Sequence, residues 1–335
     1  MPTDQTHAEN DTTIRVSRAR PAASSAVPVR ELAVDGALDR RGAAPLRDFL
    51  TEPVPLRALG AWFGQDRLDL YVSRGRWDDI AAALDRDIAR IDALLSRQLD
   101  AILHHPPFQR MEARWRGVAY VVSQIGGGDE NVAVRLLNVA WPELCQDFDR
   151  AAEFDQSLLF DKVYSQEFGM PGGRPYGLLV VDHLCSHRRL PGQGTDDVGG
   201  LRALAQVAAA AFAPTVIGAH PALLGLESFA QLGQPVDLAG IFRAEEYRRW
   251  RSLQENEDSR YVGVVLPGIL LRPPWNGADE RGEGFCYREG ATDGLGHDDH
   301  LWGNGAFAFA AVIIQAFRQH GWVADMRGAR PETHG

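Results

Sequence analysis

From Trp77 to Leu103 the residues Ile80, Leu84, Ile88, Ile91, Leu95, Leu99 and Ile102 recur at intervals of three or four. That spacing lays them along one side of an α-helix. Asp85, Arg86, Asp87 and Arg90 populate the opposite side. His104-His105-Pro106-Pro107 ends the segment, because proline disfavours helical backbone in the residue before it. A second helix is predicted from Phe108 to about Ser123, with Phe108, Met111, Trp115, Val118 and Val122 on its apolar side. Two helices joined so closely read as a helical hairpin whose stripe packs in its own core.

Beyond Asn131 the pattern becomes mixed. Val132 to Val139 alternates and runs apolar, as a strand does. Pro142 starts a helix at a favoured first-turn position, and Gln156 to Phe168 forms another. Gly169-Met170-Pro171-Gly172-Gly173 then breaks the chain, and Tyr176 to Val181, capped by Asp182, reads as a central strand covered on both faces. Val198 to Phe212 is an Ala/Leu-rich helix, Asp237 to about Gln254 a further one, and Tyr261 to Leu266 the next strand. Residues 273–296 read as a long Gly-rich loop with a short strand at Phe285 to Tyr287, followed by a last helix from about Asp299 to His320. The fold class expected is α/β: a mixed sheet flanked by helices, with an N-terminal flexible arm and a helical hairpin. The arm is assigned to residues 1–44, the hairpin region to 45–125 and the α/β core to 126–335. Within the arm, large apolar side chains are sparse, though Val27 to Val34 alternates weakly and could add a strand to a partner.

Composition narrows the function classes. A net charge of −10 argues against a general nucleic-acid binder, which needs clustered cations to neutralise phosphates. The run Arg248-Arg249-Trp250-Arg251 is interleaved with Glu245 and Glu246 and reads as solvated ion pairs. Three widely spaced cysteines, Cys145, Cys185 and Cys286, offer no disulfide framework and suit a reducing compartment. No apolar run reaches the ~20 residues a membrane span requires, and no signal peptide is legible, so the expected location is cytoplasmic, without membrane insertion.

The glycines at 169–173 follow a helix and precede a strand, the reverse of a phosphate loop, so positive φ angles in a tight reversal are their expected role. Gly192 and Gly194 lack the remaining glycines of a dinucleotide fingerprint. His183, Cys185 and His187 could share a strand face toward zinc, but no fourth ligand is identifiable. His297, Asp298, Asp299 and His300 could hold a divalent ion in a metal-dependent hydrolase, or Asp299 could cap the following helix, the simpler assignment. Cys145 has no histidine or basic neighbour in sequence to activate it. No catalytic, cofactor or metal residue is assigned.

One ordered series of motifs is more specific. Glu153-Phe154-Asp155-Gln156-Ser157 is followed by Phe160 and Tyr164, then Pro171-Gly172-Gly173-Arg174-Pro175-Tyr176-Gly177 and Asp182. Ala211-Phe212-Ala213-Pro214 comes next, then Trp250-Arg251-Ser252-Leu253 with Glu255, Glu257-Asp258-Ser259-Arg260-Tyr261. Pro267 through Arg272 and Leu301-Trp302-Gly303-Asn304 complete it. The series resembles the large-subunit family of the type VI secretion contractile sheath, over roughly Trp115 to Gly328. Gln254 and Pro267-Gly268-Ile269 depart from the family pattern, and that family normally continues through a further C-terminal portion.

The resemblance implies a structural protein without a cofactor. It would pair with the small sheath subunit and stack with further sheath copies into a helical tube around an inner tube protein. The baseplate and a recycling ATPase would be indirect partners. A non-polymerising sheath paralogue or a baseplate or assembly factor is the alternative it leaves open. It also implies that Glu255, Glu257, Asp258 and Arg260 form a buried or interfacial polar network ahead of Tyr261.

Overall fold

The computed structural model describes residues 46–126, 131–233, 235–277, 284–291, 294–324 and 326. The arm assigned to residues 1–44 lies outside them. The chain divides into two compact units, the first ending at Leu95 and the second beginning at Ser96.

The first unit is helical: α1 (Leu46–Thr51), α2 (Pro55–Phe63), α3 (Gln65–Ser73) and the larger part of α4 (Trp77–Leu103). Its core forms around Leu46 and Trp62, against Phe49, Phe63, Leu84 and Ile91. The Trp62 indole also donates to Asp87 at 3.0 Å, so a polar position on α4 is used from within this unit. The predicted stripe of α4 is buried only in part. Ile80 is buried, whereas Ile88 and Ile102 are each 54% exposed.

In the second unit Pro106 and Pro107 open α5 (Pro106–Ser123), so the prolines that end one helix also begin the next. The face of α5 that packs is only partly the predicted one: Val118 packs as expected. Gly117 and Val121 are buried, while Met111, Trp115 and Val122 face solvent. The helix seats on a later helix and strand of the same unit, and Gly117 permits the approach. A β-carbon there would stand 2.4 Å from the ring of Phe307. Gly117→Ala is therefore expected to destabilise the fold by about 1–3 kcal/mol through overpacking, measurable by denaturant unfolding.

After α5, residues 132–139 join no ladder among the described residues, which corrects the predicted strand. Helix α6 (Trp141–Arg150) begins with Pro142 in its first turn, as expected, and Glu143 accepts the Ala140 N–H at 2.8 Å. The predicted helix Gln156–Phe168 is instead three pieces: a 3-10 turn (Phe154–Gln156), one α-turn (Leu158–Phe160) and a π-helix (Asp161–Phe168). Ser157 separates the first two because its hydroxyl caps the Phe160 N–H at 3.1 Å.

The sheet at the centre has the order β1 (Leu179–Cys185), β2 (Thr215–Ala219), β3 (Val262–Val265), all parallel. β1 starts later than predicted, contains Asp182 within it, and is an edge rather than the centre. The central strand is β2, buried at all five positions and not foreseen. Helix α7 (Asp197–Ala210) covers one face, where Ile217 and Ala219 join Val198, Leu201, Leu204 and Val207 in the main core. Gly218 faces the other way, toward Asn304 at the start of the last helix.

The predicted helix from Asp237 to Gln254 is broken by extended backbone at Ala244 into α8 (Leu238–Arg243) and α9 (Arg248–Gln254), with a 3-10 turn between. β4 (Ile269–Arg272) pairs antiparallel with β5 (Leu301–Gly303), a two-stranded sheet that the sequence pattern did not reveal. Phe285 to Tyr287 forms no strand among the described residues, and the Tyr287 hydroxyl donates to Asp100. The last helix, α10 (Gly305–His320), packs Phe307, Ala310 and Ile314 against Val121 of α5. No helix among the described residues is long and apolar enough to cross a membrane.

Candidate functional site

The motif segment is organised by main-chain constraints. Phe154 is half-buried with its ring edge-on to Phe160 at 5.7 Å, while Asp155 and Gln156 face solvent. Ser157 is buried, donating to the Phe154 carbonyl at 2.8 Å. Asp147, which sequence reasoning passed over, accepts the N–H groups of Leu158 and Leu159 at 3.1 and 3.2 Å. In the following loop Pro171, Gly172, Pro175 and Gly177 are exposed, and Tyr176 is half-buried. Gly172 has φ +86°, the left-handed geometry expected of this reversal, whereas Gly169 is right-handed at φ −86°. Gly173 lies so close to the Glu167 carbonyl that a β-carbon would stand 2.1 Å from it. Glu167 accepts the Arg174 N–H at 2.9 Å and pairs with Arg135, whose guanidinium lies over the Tyr176 ring at 5.6 Å. Arg174 and Arg135 together hold the Glu167 carboxyl below its ordinary range.

The remaining motif residues are dispersed. Asp182 pairs with Arg114 at 3.1 Å and accepts from Asn304 at 3.3 Å. Pro214 is exposed, but its carbonyl takes the Leu179 N–H at 2.8 Å and so sets the start of β1. Trp250 is buried, and Arg251 donates to the carbonyls of Phe242 and Ala244, each at 2.7 Å, closing the end of α8. Glu255, Glu257 and Arg260 are exposed and Asp258 is half-buried. Among the described residues these four form no ion pair with one another. The internal network expected ahead of Tyr261 is absent there, and the turn is instead capped by Asn256, which accepts the Asp258 N–H at 2.9 Å. Arg260 lies over the Tyr261 ring at 5.6 Å. Pro267 follows a cis peptide bond. Trp302 is 40% exposed and donates its indole N–H to the His297 carbonyl at 2.8 Å.

The two histidine clusters are absorbed by structure. His183 stacks on Trp141 at 4.7 Å and meets Asp197 at 3.1 Å. Cys185 is fully buried, and burial, aided by Asp197, pushes its thiol up to about 12. His187 is buried against Tyr247 at 3.9 Å, and neither ring nitrogen has a hydrogen-bond partner among the described residues. Burial holds its imidazole below the ordinary histidine range despite Glu246. In the second cluster the rings of His297 and His300 lie against Trp302, and Asp299 accepts the Gly296 N–H at 2.8 Å. Asp299 caps a 3-10 turn (His297–Asp299), not α10, because β5 intervenes. The cap of α10 is Asn304, which accepts the Ala306 N–H at 2.9 Å. No group of three or more His, Cys, Asp or Glu that could hold a metal ion occurs among the described residues. Cys145 is also pushed up to about 12, chiefly by burial, and is a protonated thiol at neutral pH.

Two buried polar networks were missed by sequence reasoning. Asp197, 2% exposed, accepts from Trp141 at 2.8 Å, the Ser186 N–H at 3.0 Å and the Thr195 hydroxyl at 3.2 Å, besides meeting His183. Arg272, 8% exposed, donates to Glu289 at 2.5 and 3.2 Å and to Glu112 at 2.9 Å. Glu289 also meets His104 at 3.1 Å and the Trp275 N–H at 2.9 Å. Burial disfavours both charges, yet their mutual bonds override it and hold Arg272 above and Glu289 below their ordinary ranges. Only the aspartate at the start of α7 left a trace in sequence, as an acidic first turn.

Several large apolar side chains stand exposed. Trp115 is 66% exposed, Met111 49% and Val122 46% on α5, and Leu136 is 63% and Leu137 52% exposed between α5 and α6. Exposed apolar side chains at i, i+4 and i+11 of one helix, as on α5, are a feature of interaction surfaces.

Residues 85–335 match the family described as EvpB/VC_A0108, tail sheath N-terminal domain. The chain is also 38% identical over 253 residues to the type VI secretion system sheath protein TssC1 of Pseudomonas aeruginosa, covering 75% of this chain and 49% of that protein. It thus spans about half the length of the curated relative it matches.

Proposed function

This chain belongs to the tail sheath family, and from that premise we propose that it is a structural subunit of a type VI secretion contractile sheath. It pairs with the small sheath subunit, and the pairs stack with further copies into a helical tube around an inner tube protein. The observation that carries this reading is the match over residues 85–335, which embraces every motif of the ordered series. The physical setting supports it. Apolar side chains stand exposed on α5 and at 132–139, where an assembly would cover them. Head-to-tail contacts of that type build open helical filaments rather than closed rings. Contraction is then a switch between two lattice arrangements across many repeated interfaces. Glu255, Glu257, Asp258 and Arg260, exposed or half-buried, are available to set register between copies. Baseplate and recycling ATPase are indirect partners in this scheme, and the site of action is the cytoplasm.

Co-expression with the small sheath subunit of the same genome, followed by co-purification and electron microscopy, tests the proposal. Helical tubes are the expected result. A discrete soluble complex would identify a non-polymerising sheath paralogue or assembly factor instead. Absence of any complex would overturn the sheath reading.

A further inference from the structure

We propose that the contact between His187 and Tyr247 is a proton-operated latch: a neutral imidazole holds the 3-10 turn Glu245–Tyr247 against the end of β1, and protonation of the ring releases it. Being local to one chain, the latch does not depend on the sheath reading.

The site is built where β1 closes, at Cys185-Ser186-His187. The Ser186 N–H ends on Asp197 at 3.0 Å, which fixes the backbone immediately before His187. His187 is only 4% exposed. Its ring lies on that of Tyr247 at 3.9 Å with the planes 19° apart, and Tyr247 itself is 1% exposed. Phe242 of α8 meets the Tyr247 ring edge-on at 5.4 Å, and the Tyr247 hydroxyl reaches the Ala222 carbonyl at 3.5 Å. The turn is thus held through one buried aromatic side chain.

This seat suits one protonation state. An imidazolium carries a full charge and an N–H donor on both nitrogens. Neither nitrogen of His187 has a hydrogen-bond partner among the described residues. The stacked phenol ring offers a cation its π-face but no acceptor for either N–H. The charged groups facing the ring are Glu246, from the turn, and Arg188, from the loop after β1. Arg188 opposes protonation. Glu246 favours it, but its carboxylate is 58% exposed and stands 4.0 Å from Nε2, too far for a hydrogen bond. Tyr247, held above the ordinary phenol range chiefly by burial, is uncharged at neutral and acid pH. The cost of burying the imidazolium outweighs the attraction of Glu246.

The same geometry gives the direction of release. Glu246 directly precedes Tyr247, so an imidazolium that swings out to bond its carboxylate gives up the stack on Tyr247. The turn leads straight into α9, whose first residues include Trp250 and Arg251, so the start of that helix loosens with it. The closed chain resists the proton and the opened chain accepts it at the ordinary histidine value. The stabilisation is therefore whole above about pH 6.5 and is lost progressively as pH falls below it.

Hydrogen–deuterium exchange, corrected for the intrinsic pH dependence of amide exchange, tests the latch. Protection at residues 247–254 should fall roughly tenfold between about pH 7.5 and about pH 5.5, while the amides of α7 keep theirs. His187→Phe, which keeps a flat ring on Tyr247 but cannot titrate, should show no such fall. Glu246→Gln, a change at an exposed position, should move the fall to lower pH. Equal protection at both pH values in the wild type would overturn the proposal, as would the same fall in His187→Phe. A loss shared by α7 would mean global unfolding and overturn it too. Should His187→Phe not fold, Glu246→Gln decides, and an unshifted fall there would sink the latch.

Discussion

Replacing Glu289 by alanine is expected to cost roughly 3–5 kcal/mol of folding stability, because it leaves a buried guanidinium without its main counter-charge. Arg272 is 8% exposed and would retain Glu112 alone, while the Trp275 N–H and His104 would lose their shared acceptor. Urea unfolding at neutral pH measures the loss. Replacing Arg272 and Glu289 together by apolar residues should cost less than either single change, since no orphaned charge remains. The acid limb gives a second readout. The Glu289 carboxyl is held below its ordinary range in the folded chain, so its contribution is present above the unfolded carboxylate pKa. That contribution is lost as pH falls through the lower, folded value. A Glu289→Gln variant should therefore show a flatter decline of stability on acidification than the wild type. An equally steep decline would locate the acid sensitivity elsewhere.

Asp197→Ala should be nearly as damaging, on the order of 2–4 kcal/mol, since it strands several buried donors at once. The indole of Trp141, the N–H of Ser186 and the hydroxyl of Thr195 all end on this carboxylate. These donors come from α6, the end of β1 and the turn into α7, so the loss should be cooperative across the α/β core rather than local. Near-ultraviolet circular dichroism would report it through the Trp141 ring, stacked on His183 at 4.7 Å. Asp197→Asn is the gentler control: it keeps an acceptor of the same size, and a much smaller loss is expected. If both variants unfold alike, the charge rather than the acceptor geometry holds the site.

Much of this architecture was legible where one physical signal acted alone. The helix Trp77–Leu103 was readable from end to end because its period is sustained and prolines punctuate it. The mixed α/β class was likewise legible, as was the left-handed turn at Gly172. Which side of a helix packs was less so. On α5 a glycine, invisible to hydrophobic periodicity, makes the closest approach, and Trp115 is left outside. β2 escaped notice because five buried residues after a helix and Pro214 show no alternation. The break at Ala244 depends on Arg251 reaching back to carbonyls of the preceding turn, a tertiary choice with no local signature.

The polar networks were illegible for a simpler reason. Arg272 meets Glu289 seventeen positions away and Glu112 one hundred and sixty positions away, separations with no motif spacing. At 132–139 the apolar alternation read as a strand, but the segment joins no ladder among the described residues, because alternation alone does not supply a hydrogen-bonding neighbour.

The side chain of Asn304 has a mechanical consequence. Its amide group donates to the Val181 and His183 carbonyls and to Asp182, at 3.3, 3.1 and 3.3 Å, while its oxygen holds the first turn of α10. These contacts span the irregularity of β1 between Val181 and Leu184. Two N–H hydrogens shared among three acceptors let the start of α10 be tied to β1 on both sides of that irregularity by one side chain, and Arg114 reaches the same Asp182 from α5.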